Sequence, residues 1–148
     1  WVGKDALTRA NENRNRNRKK VQSLILNLID QGIREEEFIN WFQLEENSLS
    51  GTVAGIAHNY IFDHKKPVLG LAKGENGTMK VSSRGNRELV RRGLDLGEVM
   101  DSVCSDLGGS GGGHDVAAGG NFPGEKLDEF VSLVDEGVGR QIHKVKFE

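Results

Sequence analysis

Between Gly108 and Gly120 the chain is mostly glycine, interrupted only by Ser110 and by His114, Asp115, Val116, Ala117 and Ala118. Glycine tolerates positive φ and lets successive backbone N–H groups turn toward one point, so a run of this kind can form an anion-binding concavity. Phosphate is the expected guest. Two common phosphate loops are excluded by spacing. Gly108 and Gly113 stand in P-loop register, but His114-Asp115 occupies the place of Lys followed by Ser or Thr. No register of the run satisfies G-x-G-x-x-G, and the run follows a helix pattern and leads into a strand, the reverse of the order both loops need. ATP hydrolysis and dinucleotide binding are therefore not expected.

Basic side chains that suit phosphate gather upstream. Ser83-Arg84 closes a strand pattern, and Arg87, Arg91 and Arg92 follow it. Arginine presents a planar fork to phosphate oxygens, and a histidine in a site rich in amide dipoles can donate whether protonated or neutral. Each has a plainer reading. His114 can bridge the loop to backbone carbonyls, Arg84 can be a surface residue at a strand end, and charge runs on helices are usually solvated.

The stretch Gly111-Gly112-Gly113-His114-Asp115-Val116-Ala117-Ala118-Gly119 resembles the GGGH-x-x-AAG signature of the domain that accompanies the Asp-His-His (DHH) catalytic domain in RecJ-like nucleases, oligoribonucleases and cyclic-dinucleotide phosphodiesterases. Residues 82–98 are similar to the archaeal branch of that family. The resemblance covers roughly residues 36–139, the size of one domain. It implies that the glycine amides and the histidine, here Gly111, Gly112, Gly113 and His114, contact a substrate phosphate. It also implies that a Ser-Arg element, carried over to Ser83 and Arg84, supplies a second ligand, with Arg87, Arg91 and Arg92 as further nucleic-acid contacts. The family's catalysis uses manganese (or magnesium) held by aspartates and histidines of the DHH domain. None of those motifs occurs here; the nearest match is Asp63-His64-Lys65, with His58 nearby, which lacks the other carboxylates of a two-metal site. The chain is thus expected to hold no metal or other cofactor of its own. Its implied role is to bind single-stranded nucleic acid or a short oligonucleotide beside the DHH catalytic domain, in a protein that also meets replication proteins, and to lack catalysis alone. Related domains end alanyl-tRNA synthetases, which leaves tRNA binding as the alternative; a non-catalytic replisome scaffold is a third.

The elements that would position these residues follow from periodicity. Lys4 to Gly32 is helical in pattern, with a stripe of Val21, Leu24, Ile25, Leu28 and Ile29. Its first half is basic and has nothing to bury, which suits a linker helix. Phe38–Glu45 reads as a buried strand, and Ser50 can cap a helix carrying Val53, Ile56, Tyr60 and Ile61. Val68–Ala72 and Thr78–Ser83 flank Asn76-Gly77, the strongest short hairpin signal. Asn86 caps a short helix ending at Gly93, and Asp95 with Glu98 forms a capping box for a helix bearing Val99, Met100, Val103, Cys104 and Leu107. Cys104 lies on the apolar stripe and reads as a packing residue. Val116–Phe122 is a candidate strand, and Leu127, Phe130, Val131, Val134 and Val138 mark a last amphipathic helix. The expected architecture is α/β (α+β): one domain with a mixed, partly antiparallel sheet covered by helices. The expected boundaries are a linker helix over 1–35, the substrate-binding domain over 36–140 and a tail over 141–148.

A length of 148 residues suits one hydrophobic core. The start at Trp1 without methionine suggests a piece of a longer protein or a processed product. A net charge of −2 is not the footprint of a duplex-DNA reader, so phosphate affinity must be local. One cysteine, no long apolar run and no leader pattern point to the cytoplasm and away from a membrane. Asn76-Gly77-Thr78 matches a glycosylation sequon, but the turn explains it better.

Overall fold

The computed structural model describes residues 33–44 and 65–146, together with positions 19, 22 and 23. The chain divides into two compact units, residues 1–32 and 33–148. In the first, Lys19, Gln22 and Ser23 are helical; the rest of residues 1–32, and the expected helix after Ser50 with His58, Asp63 and His64, lie outside the described residues, while Arg34 and Glu35, counted in sequence with the linker helix, form a strand of the second unit.

The second unit is built on a sheet of six described strands: β1 (Arg34–Glu35), β2 (Asn40–Leu44), β3 (Val68–Lys73), β4 (Thr78–Arg84), β5 (Ser110–Gly113) and β6 (Ala117–Pro123). They run in the order β1-β2-β3-β4-β6-β5. Only β2 and β3 pair in parallel; all other neighbours are antiparallel, so the sheet is mixed, as the sequence implied. The described residues add three helices: α1 (Arg87–Arg91), α2 (Leu96–Asp106) and α3 (Leu127–Lys146), the last entered through a short 3₁₀ turn at Gly124–Lys126.

Local chemistry explains the joints. Asn76 and Gly77 take φ of 55° and 76°, and the Thr78 amide donates to the Glu75 carbonyl at 3.1 Å. That is the primed turn whose twist suits a two-residue hairpin. Asn86 caps α1 by accepting from the Leu89 amide at 2.8 Å, and Gly93 leaves the helix at φ 112°. Asp95 accepts from the Glu98 amide at 3.2 Å, the forward half of the expected capping box. The reciprocal half is different. The Asp95 amide donates not to Glu98 but to Gln141 Oε1 at 2.9 Å, and Gln141 Nε2 donates to the Asp95 carbonyl at 3.0 Å. A side chain from α3 therefore clamps the start of α2. Residues 141–146 continue α3 as helix, through the segment set apart in sequence as a tail.

The core lies between one face of the sheet and helices α2 and α3. Leu69, Leu71, Met79, Val81 and Phe122 meet Leu96, Met100, Val103, Phe130, Val134 and Val138, all buried. Phe122 and Phe130 stack with centroids 4.0 Å apart. Each such ring, fully buried, contributes about 1.5–3 kcal/mol.

Candidate phosphate-binding face

The glycine-rich run is not a loop. Most of it forms β5 and β6, an antiparallel hairpin at the sheet edge with residues 114–116 at its tip. The glycines serve helix packing first. A Cβ at Gly111 would lie 2.5 Å from the Met100 carbonyl oxygen, one at Gly120 would lie 2.8 Å from Cys104 Sγ, and one at Gly97 would lie 2.5 Å from the Gly113 carbonyl oxygen. Helix α2 thus rests on the hairpin at a distance that no side chain permits. Cys104 sits inside this contact, where burial pushes its thiol up to about 11. The neutral thiol packs like a small apolar group.

The tip is fastened on two sides. The Leu96 and Gly97 amides, orphan donors at the start of α2, donate to the carbonyls of Asp115 and His114 at 2.9 and 3.0 Å. The Gly85 amide donates to the Val116 carbonyl at 2.9 Å, tying the end of β4 to the same tip. These two helix donors are consumed within the fold. Other amides face elsewhere. His114 donates to the Ala117 carbonyl at 2.8 Å, and the alternation of antiparallel pairing then turns the amides of Gly111 and Gly113 away from β6, off the sheet edge.

Pairing register and burial sort the candidate residues by face. In β4, Met79, Val81 and Ser83 are buried, whereas Thr78, Lys80, Ser82 and Arg84 are not. Ser83 is 0% exposed, and its hydroxyl donates to the Ala118 carbonyl at 2.8 Å. Ser83 therefore belongs to the helix-covered face and is not at the site inferred from the sequence. The serine sharing the open face with Arg84 is Ser82. The error is legible in β4 itself, because Met79 and Val81 set a period of two that carries Ser83 inward.

Arg84 is half-buried, stands opposite Ala117, and folds its guanidinium so that Nη1 donates to the Ser83 carbonyl at 2.8 Å. His114 is exposed at the tip, three positions before Ala117. Register thus brings Arg84 and His114 to the same end of the hairpin. Arg87, largely exposed, reaches to 3.7 Å from the partly exposed Asp115 carboxylate. Arg91 pairs with Glu88 at 2.9 Å along α1, while Arg92 is exposed at its end. Exposed pairs of this kind contribute little to stability. Among the described residues no group of three or more His, Cys, Asp or Glu is placed to hold a metal ion, and no helix is long and apolar enough to cross a membrane.

Comparison with known proteins converges on one domain type. The DHHA1 domain model matches residues 38–139. An uncharacterized protein of Methanocaldococcus jannaschii is 44% identical over 90 residues, which is 61% of this chain and 20% of that protein. The chain thus spans about a fifth of that relative's length. RecJ from Thermus thermophilus with magnesium is similar in fold, with a TM-score of 0.64 and 20% identity over 85% of this chain and 18% of that one. The C-Ala domain of Aquifex aeolicus alanyl-tRNA synthetase has a TM-score of 0.57 and 20% identity over 71% of this chain and 96% of that one.

Proposed function

The chain belongs to the DHHA1 domain family, and from that premise we propose that it is the substrate-holding domain of an archaeal RecJ-like DHH phosphoesterase that acts on single-stranded nucleic acid or short oligonucleotides. The observation that carries the reading is the meeting of Arg84 and exposed His114 at one end of the open sheet face, beside the outward-turned amides of Gly111 and Gly113. In the proposal Arg84 and His114 hold a terminal phosphate through charge-assisted hydrogen bonds, the edge amides take its remaining oxygens, and Arg87, Arg91 and Arg92 add diffuse attraction. Gly112 keeps the approach clear. In the proposal, manganese (or magnesium) and the attacking water belong to a DHH catalytic domain of the same protein. This domain supplies positioning, in the cytoplasm, in a protein that also contacts replication partners. Isolated, it binds and does not cut.

The test is titration of the chain with 5′-phosphorylated single-stranded oligonucleotides at two salt concentrations. Arg84→Ala and His114→Ala are each expected to cost about 1–3 kcal/mol of binding, the scale of a lost charged hydrogen bond. Unchanged affinity in both variants refutes the site. A second reading, tRNA binding, is favoured by the coverage of nearly the whole C-Ala domain. It prevails if folded tRNA displaces the oligonucleotide at a lower concentration than the oligonucleotide itself.

A further inference from the structure

We infer that Gln141 is a positioning residue for the phosphate site: it fixes the start of α2 and, through it, the hairpin tip that carries His114. The inference rests on the reading above, in which His114 holds phosphate, and adds a residue that the glycine and arginine motifs do not contain.

Gln141 stands on the buried side of α3. Phe130, Val134 and Val138 recur there at every fourth position, all buried, and Gln141 follows one turn later on the same stripe. A polar side chain on such a stripe needs partners for its groups. Both groups find them on one residue: the Asp95 amide donates to Gln141 Oε1 at 2.9 Å, and Gln141 Nε2 donates to the Asp95 carbonyl at 3.0 Å. One bond would fix a distance, whereas two to the same residue also fix its orientation. A nearer partner stands at hand. Glu98 occupies the position from which a capping box satisfies the Asp95 amide, yet Glu98 is exposed and the bond comes from a helix 46 residues away. Capping alone does not need that reach. What the reach adds is a fixed placement of the first turn of α2 against α3.

That first turn touches the tip directly. The Leu96 and Gly97 amides, next in the chain after Asp95, donate to the Asp115 and His114 carbonyls at 2.9 and 3.0 Å. The His114 amide is held as well, by the Ala117 carbonyl at 2.8 Å. The contact has no slack. A Cβ at Gly97 would stand 2.5 Å from the Gly113 carbonyl oxygen, so helix and tip meet backbone to backbone, with no side chain between them to absorb a displacement. On its other side the tip is tied to β4 by the Gly85 amide, one residue after Arg84, which donates to the Val116 carbonyl at 2.9 Å. Two tethers therefore set the spacing of Arg84 and His114. One is local to β4, and the other runs from His114 through Gly97 and Asp95 to Gln141 and into α3. A site that grips one phosphate from two side chains loses its hold when their spacing drifts.

The experiment combines amide hydrogen exchange with titration by a 5′-phosphorylated single-stranded pentanucleotide, on the full 148-residue chain well below its melting temperature. Gln141→Met keeps the length of the side chain and removes both bonds. It is expected to speed exchange of the Leu96 and Gly97 amides about tenfold, while Val81, in the middle of the sheet, exchanges as in the parent. It is also expected to weaken the pentanucleotide about three- to fivefold, and that loss should disappear in a His114→Ala background, where the residue it positions is gone. A purely stabilising residue would move the melting temperature and leave the affinity of the folded chain alone. A loss that persists in the His114→Ala background overturns the inference, as does unchanged exchange at Leu96 and Gly97 or faster exchange that extends to Val81. If Gln141→Met binds like the parent while His114→Ala still weakens the pentanucleotide, Gln141 has no positioning role and the phosphate site stands. If Arg84→Ala and His114→Ala both bind like the parent, the site falls and this inference falls with it.

Discussion

The two faces of the β4–β6–β5 sheet are made by alternate residues of the same three strands, and they do opposite work. On the covered face Gly111 is small because the Met100 carbonyl of α2 presses on it, and Ser83 and Ala118 beside it are buried. On the other face Gly119 is small because the Val81 carbonyl lies close to it, whereas no atom among the described residues lies within 4 Å of a Cβ at Gly112. A glycine motif is therefore two motifs interleaved, one read by the protein's own helix and the other available to a ligand. Neighbouring positions should fail in different ways.

The largest contrast is between Gly111 and Gly112. Gly111→Val drives a branched side chain into the Met100 carbonyl, and a loss of about 3 kcal/mol or more is expected in chemical denaturation, at the upper end of overpacking costs. Gly112→Val should stay within about 0.5 kcal/mol of the parent, or gain slightly from strand propensity. Equal damage at both positions would remove the distinction between the faces. Serine gives the next contrast. Ser83→Ala abolishes the buried bond to Ala118 and should cost about 1 kcal/mol of stability with oligonucleotide affinity intact. Ser82→Ala, on the opposite face, should instead bring a small loss of oligonucleotide affinity.

The smallest expected effect lies away from both faces, where Asp135 accepts from the Phe38 amide at 2.7 Å and holds the approach to β2 against α3. Burial raises its carboxyl above the ordinary range, and the charges of Glu36 and Glu37 add to the rise, partly offset by the amide bonds. A carboxyl raised in the folded state favours folding below its unfolded value, and that contribution is lost as pH climbs through the folded one. Asp135→Asn keeps an acceptor and removes the charge. Stability at neutral pH should rise by no more than about 0.5 kcal/mol, given solvent screening, and the gain should vanish under acid conditions. A gain that persists in acid would point to packing instead.

Much of this was open to reading along the chain. The Asn76-Gly77 turn, the Asn86 cap and the Asp95–Glu98 contact are local, and each is present. The apolar stripes of α2 and α3 are buried as their spacing requires. Arg84 and His114 were singled out by residue type and the GGGH pattern, and the pairing register places them at one end of the hairpin. Ser83 was misassigned because the strand's period of two was not applied to its last residues, although Met79 and Val81 carry that information.

What the sequence determined by itself were the terms set by neighbours in the chain: turn geometry, helix caps, the side of a helix that seeks burial, and the chemistry that Arg84 and His114 can offer. The glycine run marks the limit. Its residues permit an open loop or a tight strand pair equally, because glycine adds no side chain to bias either one. Tertiary structure decided between them by setting α2 on the hairpin, which consumed the helix amides, gave Gly111 and Gly120 their steric purpose and left Gly112 without one. It also drew Gln141 across 46 residues to Asp95. Contacts of that range depend on where the sheet carries each segment, and no local period encodes them.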